Sequence, residues 1–402
     1  MWTATLVLQL VDEGLVDLDA SVQTYLPTFR TADEAASGRI TVRHLLTHTG
    51  GFEGDLWAPT TAGDDALERF VEDLVPHAEQ RTRPGEMYSY CSAGMGVLGR
   101  LIEVERGTTY ETALRHHLAD PLGAHELAFS ADQALWFRTA IGHARPTPHA
   151  TQQPLKSWAI LPPSNPAAGN QLAMSARALL ALGRMHVADG EAVDGTRVLS
   201  SVAVQMMRQR YVDHPAAIGS PSSQGLGWFL PNRPGLVEHG GDSIGVASLL
   251  RLAPERGVAV AILTNGGDAG RMINAVVDPL LQDLAGVEPT APWPAPVGPA
   301  RVAEPDRYVG RYRTRVADLE VTTDDNGHLW LTQTSRKEML TMATTAGITD
   351  EPQRHELRRF KADTFFLLDD AGTAVRAVEF LGADALKRAQ FLHTGRAAPR
   401  IT

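Results

Sequence analysis

The sequence predicts an α/β (α+β) chain of two units: mixed helices and antiparallel sheet over residues 1–287, then a small all-β, barrel-like unit over 306–402. Three observations carry this. Apolar residues recur at helical spacing in five stretches before residue 190. Three short apolar runs bounded by glycine and proline follow near residue 235. Past a proline-rich stretch, short alternating runs separated by tight turns fill the rest. At 402 residues, two or three domains are expected.

The helical stretches are 1–13, 64–80, 93–106, 109–119 and 174–188. The first reads as an amphipathic helix through Val11, closed by Gly14, with no N-capping residue before it. Leu236–His239, Val246–Leu252 and Val258–Leu263 read as three antiparallel strands, punctuated by Gly240-Gly241 and Pro254-Glu255-Arg256-Gly257. Asp268 starts a helix running from Met272 to Leu284. Residues 288–305 carry six prolines, the composition of a semi-rigid extended linker. In 306–402, runs such as Leu319-Glu320-Val321 and Phe365-Phe366-Leu367-Leu368 are separated by turns such as Asp325-Asn326-Gly327 and Asp370-Ala371-Gly372.

Composition excludes several classes. The net charge of -10, with no basic tract, argues against a nucleic-acid groove or an anionic membrane surface. One cysteine, Cys91, rules out an internal disulfide and a Cys-based metal cluster. No apolar run approaches the ~20 residues that span a bilayer. Residues 1–11 lack a basic flank and meet Asp12-Glu13 where a signal-peptide cleavage site would lie, so a cytoplasmic location is favoured for the chain as it stands.

Three segments hold the residues that could carry chemistry: Ile40–Gly51, Pro84–Gly94 with Tyr88, Tyr90 and Ser92, and Glu238-His239-Gly240-Gly241-Asp242-Ser243. Their order and spacing, with the helix at Thr3–Val11 ahead of them, resemble the serine β-lactamase and penicillin-binding-protein family. The class C-like branch, with esterases, D-aminopeptidases and thioesterases, is the nearest match over residues 2–285. The tail, Phe391-Leu392-His393-Thr394-Gly395-Arg396, looks like the lipocalin-like domain appended to many of these hydrolases.

The resemblance implies acyl transfer through a serine whose proton is taken by a lysine and a tyrosine. Tyr90 falls at the tyrosine of the family's Tyr-x-Asn motif, with Ser92 where the asparagine stands. His239-Gly240-Gly241 matches the third motif, and the backbone N–H of Asp242 would complete the oxyanion hole. The Ser-x-x-Lys motif is absent: Gln153, Thr334, Arg358 and Asp384 precede the four lysines at that spacing. The resemblance places that lysine immediately before Met1 and the serine three residues further upstream, so a start called too late is expected. It implies no cofactor and no metal, and a small-molecule or peptide acyl substrate as partner. The other class is a non-catalytic binding protein on the same fold.

Three further patterns have plainer readings. His44 and His48 stand at the spacing of two metal ligands on a helix, but no Glu follows His44, and the resemblance implies a structural loop beside the active site. Gly94-Met95-Gly96-Val97-Leu98-Gly99 matches a dinucleotide fingerprint without a preceding strand, which favours helix packing. Cys91 reads as a small core residue rather than a surrogate nucleophile. His239, with an ordinary imidazole pKa, would be partly charged near neutral pH.

Overall fold

The computed structural model of the chain describes residues 1–147, 150–215, 222–289 and 301–402. Most of the proline-rich stretch, 290–300, lies outside the described residues. Helix α1 (Trp2–Asp12) is not amphipathic, contrary to the sequence reading: every residue from Trp2 to Leu10 is buried. A helix buried on every face is a core helix, whatever its few polar residues. Its polar side chains are paired, as buried polar groups must be. Thr3 Oγ1 donates to the Ala167 carbonyl at 2.6 Å, and Gln9 Nε2 to the Val198 carbonyl at 2.8 Å. Gly14, at φ +73°, ends the segment.

Helix α2 (Ser92–Arg106) packs against α1 and is capped by Gly107 in the left-handed conformation. Its glycines allow close packing. A Cβ on Gly99 would lie 2.4 Å from the Ala167 Cβ, and one on Gly96 2.7 Å from the Phe70 ring. The dinucleotide-like pattern is therefore helix packing.

The first unit's main sheet has six antiparallel strands: β1 (Val212–Asp213), β2 (Ser222–Gln224), β3 (Phe229–Pro231), β4 (Val237–Ser243), β5 (Val246–Ala253) and β6 (Val258–Thr264). Their order is β6-β5-β4-β3-β2-β1, with His239 opposite Leu250 and Gly241 opposite Ser248. Side chains alternate along each strand, so β5 feeds two layers. Leu250 and Leu252 meet Gly183 of helix α3 (Ala176–Val187). Leu249 meets Val277 and Leu281 of helix α4 (Ala269–Ala285), which Asp268 caps through the Arg271 N–H. Among the described residues β6 pairs only with β5, and Met272, Val276, Leu280 and Leu284 form an exposed stripe at four-residue spacing on α4.

The second unit is an eight-stranded antiparallel meander in sequence order: β7 (Gly310–Arg313), β8 (Ala317–Thr323), β9 (Leu329–Ser335), β10 (Gln353–Lys361), β11 (Thr364–Leu368), β12 (Ala374–Leu381), β13 (Phe391–His393) and β14 (Ala397–Pro399). It is nearly closed into a barrel, because the Ile401 N–H donates to the Arg311 carbonyl at 2.8 Å. Tyr308, Tyr312, Phe365 and Phe380 fill its centre. A helix that the alternation does not predict, α5 (Lys337–Ala346), joins β9 to β10.

Candidate active site

The chain order Tyr88-Ser89-Tyr90-Cys91 runs extended into the amino end of α2. Cys91 is its N-cap and accepts from the Gly94 N–H through Sγ at 3.3 Å. The thiol is buried and its pKa pushed up to about 12 by that burial, so it stays protonated and unreactive. Ser92 is buried in the first turn, and its carbonyl accepts from Asn165 Nδ2 at 2.9 Å.

Tyr90 lies in an aromatic corner. Its ring centroid is 4.2 Å from His48, 6.4 Å from Phe229 and 6.5 Å from His239. His239, on β4, stacks on Phe229 at 4.5 Å and 16°. The sheet thus delivers His239, and the extended stretch before α2 delivers Tyr90, to one place. Gly240, Gly241 and Asp242 continue β4 toward solvent, and Asp242 is exposed. A Cβ on Gly241 would lie 2.8 Å from Ser248 Oγ, so a side chain there forces that hydroxyl aside.

Burial governs the charge states. It raises the Tyr90 phenol, against a lowering pull from Arg396. Burial pushes His239 down to about 3. His239 is therefore neutral at neutral pH, which corrects the expectation of partial charge. The Met1 amine is itself pushed down to about 5 by burial. The first turn of α1 packs close by: a Cβ on Gly227, two residues before Phe229, would lie 2.5 Å from the Ala4 Cβ.

Sequence reasoning placed His48 in a loop beside the site and Tyr88 in the segment of Tyr90, but not their contacts. His48 sits at φ +55°, rare for a non-glycine residue, and its Nδ1 accepts from the Cys91 N–H at 3.2 Å. Its partner in the metal-like spacing, His44, instead caps its own short helix: Nδ1 accepts from the Thr41 N–H at 3.2 Å. Tyr88 is buried with its ring 4.1 Å from His214.

The barrel also reaches the site. The turn between β13 and β14 lays the Gly395 carbonyl on the Tyr90 N–H at 3.1 Å and the Arg396 guanidinium over the Tyr90 ring, 5.1 Å from its centroid. His393 Nε2–H donates to the Tyr88 carbonyl at 2.9 Å, and the Ala397 N–H to Ser89 Oγ at 3.1 Å. From β12, Arg376 pulls electrostatically on Asp242. The only advance signal was the position of Arg396 in the tail that resembles an appended domain.

The Beta-lactamase family model matches residues 1–278, and the chain belongs to that family. It is similar to Penicillin-binding protein 4 of Amycolatopsis lactamdurans, 39% identical over 311 residues, spanning 74% of this chain and 80% of that protein. In three dimensions it is similar to SurE solved with D-Leu: TM-score 0.73, 25% identity, covering 100% of this chain and 85% of that one. The octameric penicillin-binding protein homologue from Pyrococcus abyssi shares the fold at TM-score 0.60 and 22% identity, over 95% and 83% of the two chains. The family's general chemistry is hydrolysis or acyl transfer.

Proposed function

We propose that this chain belongs to a serine acyl-enzyme hydrolase or acyltransferase acting on an ester, a D-configured amide or a thioester. In this reading the nucleophile and its lysine lie on residues preceding Met1. The observation that supports it is the convergence of Tyr90 and His239, 6.5 Å apart, around Phe229, just after Gly227, where a Cβ would lie 2.5 Å from the Ala4 Cβ in the first turn of α1. A serine one turn before α1 would open beside Tyr90. The serine oxygen attacks the acyl carbon, and its proton passes to the lysine–tyrosine pair and on to the leaving group. The backbone N–H of Asp242 polarises the acyl oxygen, and Gly240 and Gly241 leave room for the acyl chain against β4. Ser92 stands for the family asparagine with a shorter reach. Neutral His239 offers no cation to a carboxylate, so the positive charge at the site comes from the barrel, through Arg376 and Arg396. Residues 1–287 form the hydrolase unit and 306–402 the barrel. The D configuration is suggested by the D-Leu named with the SurE structure.

The gene tests this directly. Reading in frame upstream of Met1 should give Lys immediately before it and Ser three residues before that Lys. The extended chain should gain one adduct with a fluorophosphonate or a penicillin by intact mass, on that serine, and the 402-residue chain none. A stop codon there, or an extended chain that stays unlabelled, would leave a non-catalytic binding protein as the reading. That alternative draws on the absence of Ser-x-x-Lys in 1–402 and on Ser92.

A further inference from the structure

Arg396 is held over Tyr90 by one residue from each unit. Its backbone belongs to the β13–β14 turn of the barrel. Its guanidinium pairs with Asp55 of the hydrolase unit, Nη2 donating to Oδ1 at 2.9 Å and Nε lying 2.5 Å from Oδ2. Asp55 is buried and rigidly placed. Its N–H donates to Glu53 Oε1 at 2.9 Å, and Glu53 pairs with Arg81, which in turn donates to the Arg313 and Ala397 carbonyls of the barrel. Between them, Gly54 lies so close to α2 that a Cβ would sit 2.5 Å from the Cys91 Cα. A buried carboxylate is costly unless it is paired, so the loop Glu53-Gly54-Asp55 gives Arg396 one favoured position.

We propose that Asp55 is a positioning residue: by clamping the barrel's Arg396 over the Tyr90 ring, it makes the barrel supply a cation that stabilises ionised Tyr90. A guanidinium is attracted to the ring face and, more strongly, to a phenolate. The titratable groups facing Tyr90 are Tyr88, His48, His239, Cys91, Asp55 and Arg396. His48 and His239 are held neutral, burial holds Tyr88 well above the usual phenol range and Cys91 stays a thiol, which leaves Arg396, among the described residues, as the cation with its charge over the ring. The consequence for catalysis rests on the acyl-transfer reading above, with Tyr90 sharing the serine proton. The arrangement itself does not, because it lies wholly within residues 1–402.

The test reads the Tyr90 phenol in the full chain by carbon NMR of tyrosine labelled at Cζ, the resonance being assigned with Tyr90→Phe. Arg396→Gln should raise the Tyr90 pKa by about 1–3 pH units, the usual worth of an opposite charge at this range, and Arg396→Lys should recover part of it. Asp55→Asn gives the discriminating sign. Asp55 by its own charge raises the Tyr90 pKa, so removing that charge alone lowers it. Losing the clamp on Arg396 raises it. Positioning therefore predicts a rise in Asp55→Asn, and a fall or no change overturns it. Glu338→Gln, which weakens a different contact between units, the Trp57 N–H on Glu338 Oε2 at 3.3 Å, without touching Asp55, Arg396 or Tyr90, should lower the melting temperature and leave the phenol unmoved. An equal phenol shift in Glu338→Gln would make the effect general loosening and sink the proposal. If Asp55→Asn fails to fold, the contrast between Arg396→Gln and Arg396→Lys decides: equal pKa values in both overturn it. An extended chain that never acylates would defeat the acyl-transfer reading and leave these titrations standing.

Discussion

Protonating His393 should loosen the junction of barrel and hydrolase unit. Its ring is fully buried and doubly bonded: Nδ1 accepts from the Gly395 N–H at 3.3 Å, and Nε2–H donates to the Tyr88 carbonyl at 2.9 Å. Only the neutral tautomer fits, since a second ring proton would face the Gly395 N–H. Burial accordingly pushes the native pKa down to about 4. The unfolded imidazole titrates near 6.5, so between these values the unfolded state binds more protons and stability falls as pH falls. From pH 7 to pH 5 this single group costs about 2 kcal/mol, at about 1.4 kcal/mol per pH unit below 6.5. Other buried histidines and the Met1 amine add to the total loss, so the difference against His393→Gln isolates the term. Gln keeps an N–H for the Tyr88 carbonyl and cannot titrate. Urea unfolding at both pH values should show the wild type losing about 2 kcal/mol more than the variant. Equal losses would mean that His393 accepts its proton in the folded state, and the tautomer argument would fail.

In the extended chain, Tyr90→Phe should slow acylation roughly 10²–10⁴-fold, the usual worth of general acid–base help, and a wild-type rate would remove Tyr90 from the proton path. His239→Ala should mainly change substrate preference in the same assay, and loss of all acylation would assign it a larger part. Gly99→Ala puts a methyl 2.4 Å from the Ala167 Cβ, and should cost about 1–3 kcal/mol by urea titration; an unchanged midpoint would refute the close-packing account. The outer edge of β6, unpaired among the described residues, and the exposed apolar stripe of α4 invite association, so the 402-residue chain should aggregate in light scattering where the extended chain is monodisperse. A monomeric short form with a sharp melt would contradict that.

Local periodicity made the long elements legible. The stretches 93–106 and 174–188, and the runs ending β4, β5 and β6, carry enough residues for a period to show. Strands β1, β2 and β3 have two or three residues each, too few for alternation to register, so a sheet of six read as three. Helix α5 hides behind Thr341, Thr344 and Thr345, poor helix formers whose hydroxyls bond carbonyls one turn back. Helix α1 read as amphipathic because Thr3, Thr5 and Gln9 look solvent-facing until their partners Ala167, His186 and Val198 are placed. Tyr90 and His239, singled out from spacing, stand 6.5 Å apart in the fold. His48 and Phe229 joined them only through chain reversals that no local pattern encodes.

The same reasoning explains why the barrel belongs to the site rather than beside it. Tyr88, Ser89 and Tyr90 are three consecutive residues, and each gives one polar backbone or hydroxyl group to the β13–β14 turn: the Tyr88 carbonyl to His393, Ser89 Oγ to Ala397 and the Tyr90 N–H to Gly395. An extended segment just before a helix has no ladder of its own to satisfy these groups. The turn supplies that ladder, and it fixes the direction in which Tyr90 leaves the backbone. Asp55 would be a buried carboxylate without its guanidinium if the barrel were removed, a state that costs about 3–5 kcal/mol. The hydrolase unit therefore needs the barrel for the placement of its tyrosine, and that need runs through four residues more than 300 positions away in the chain.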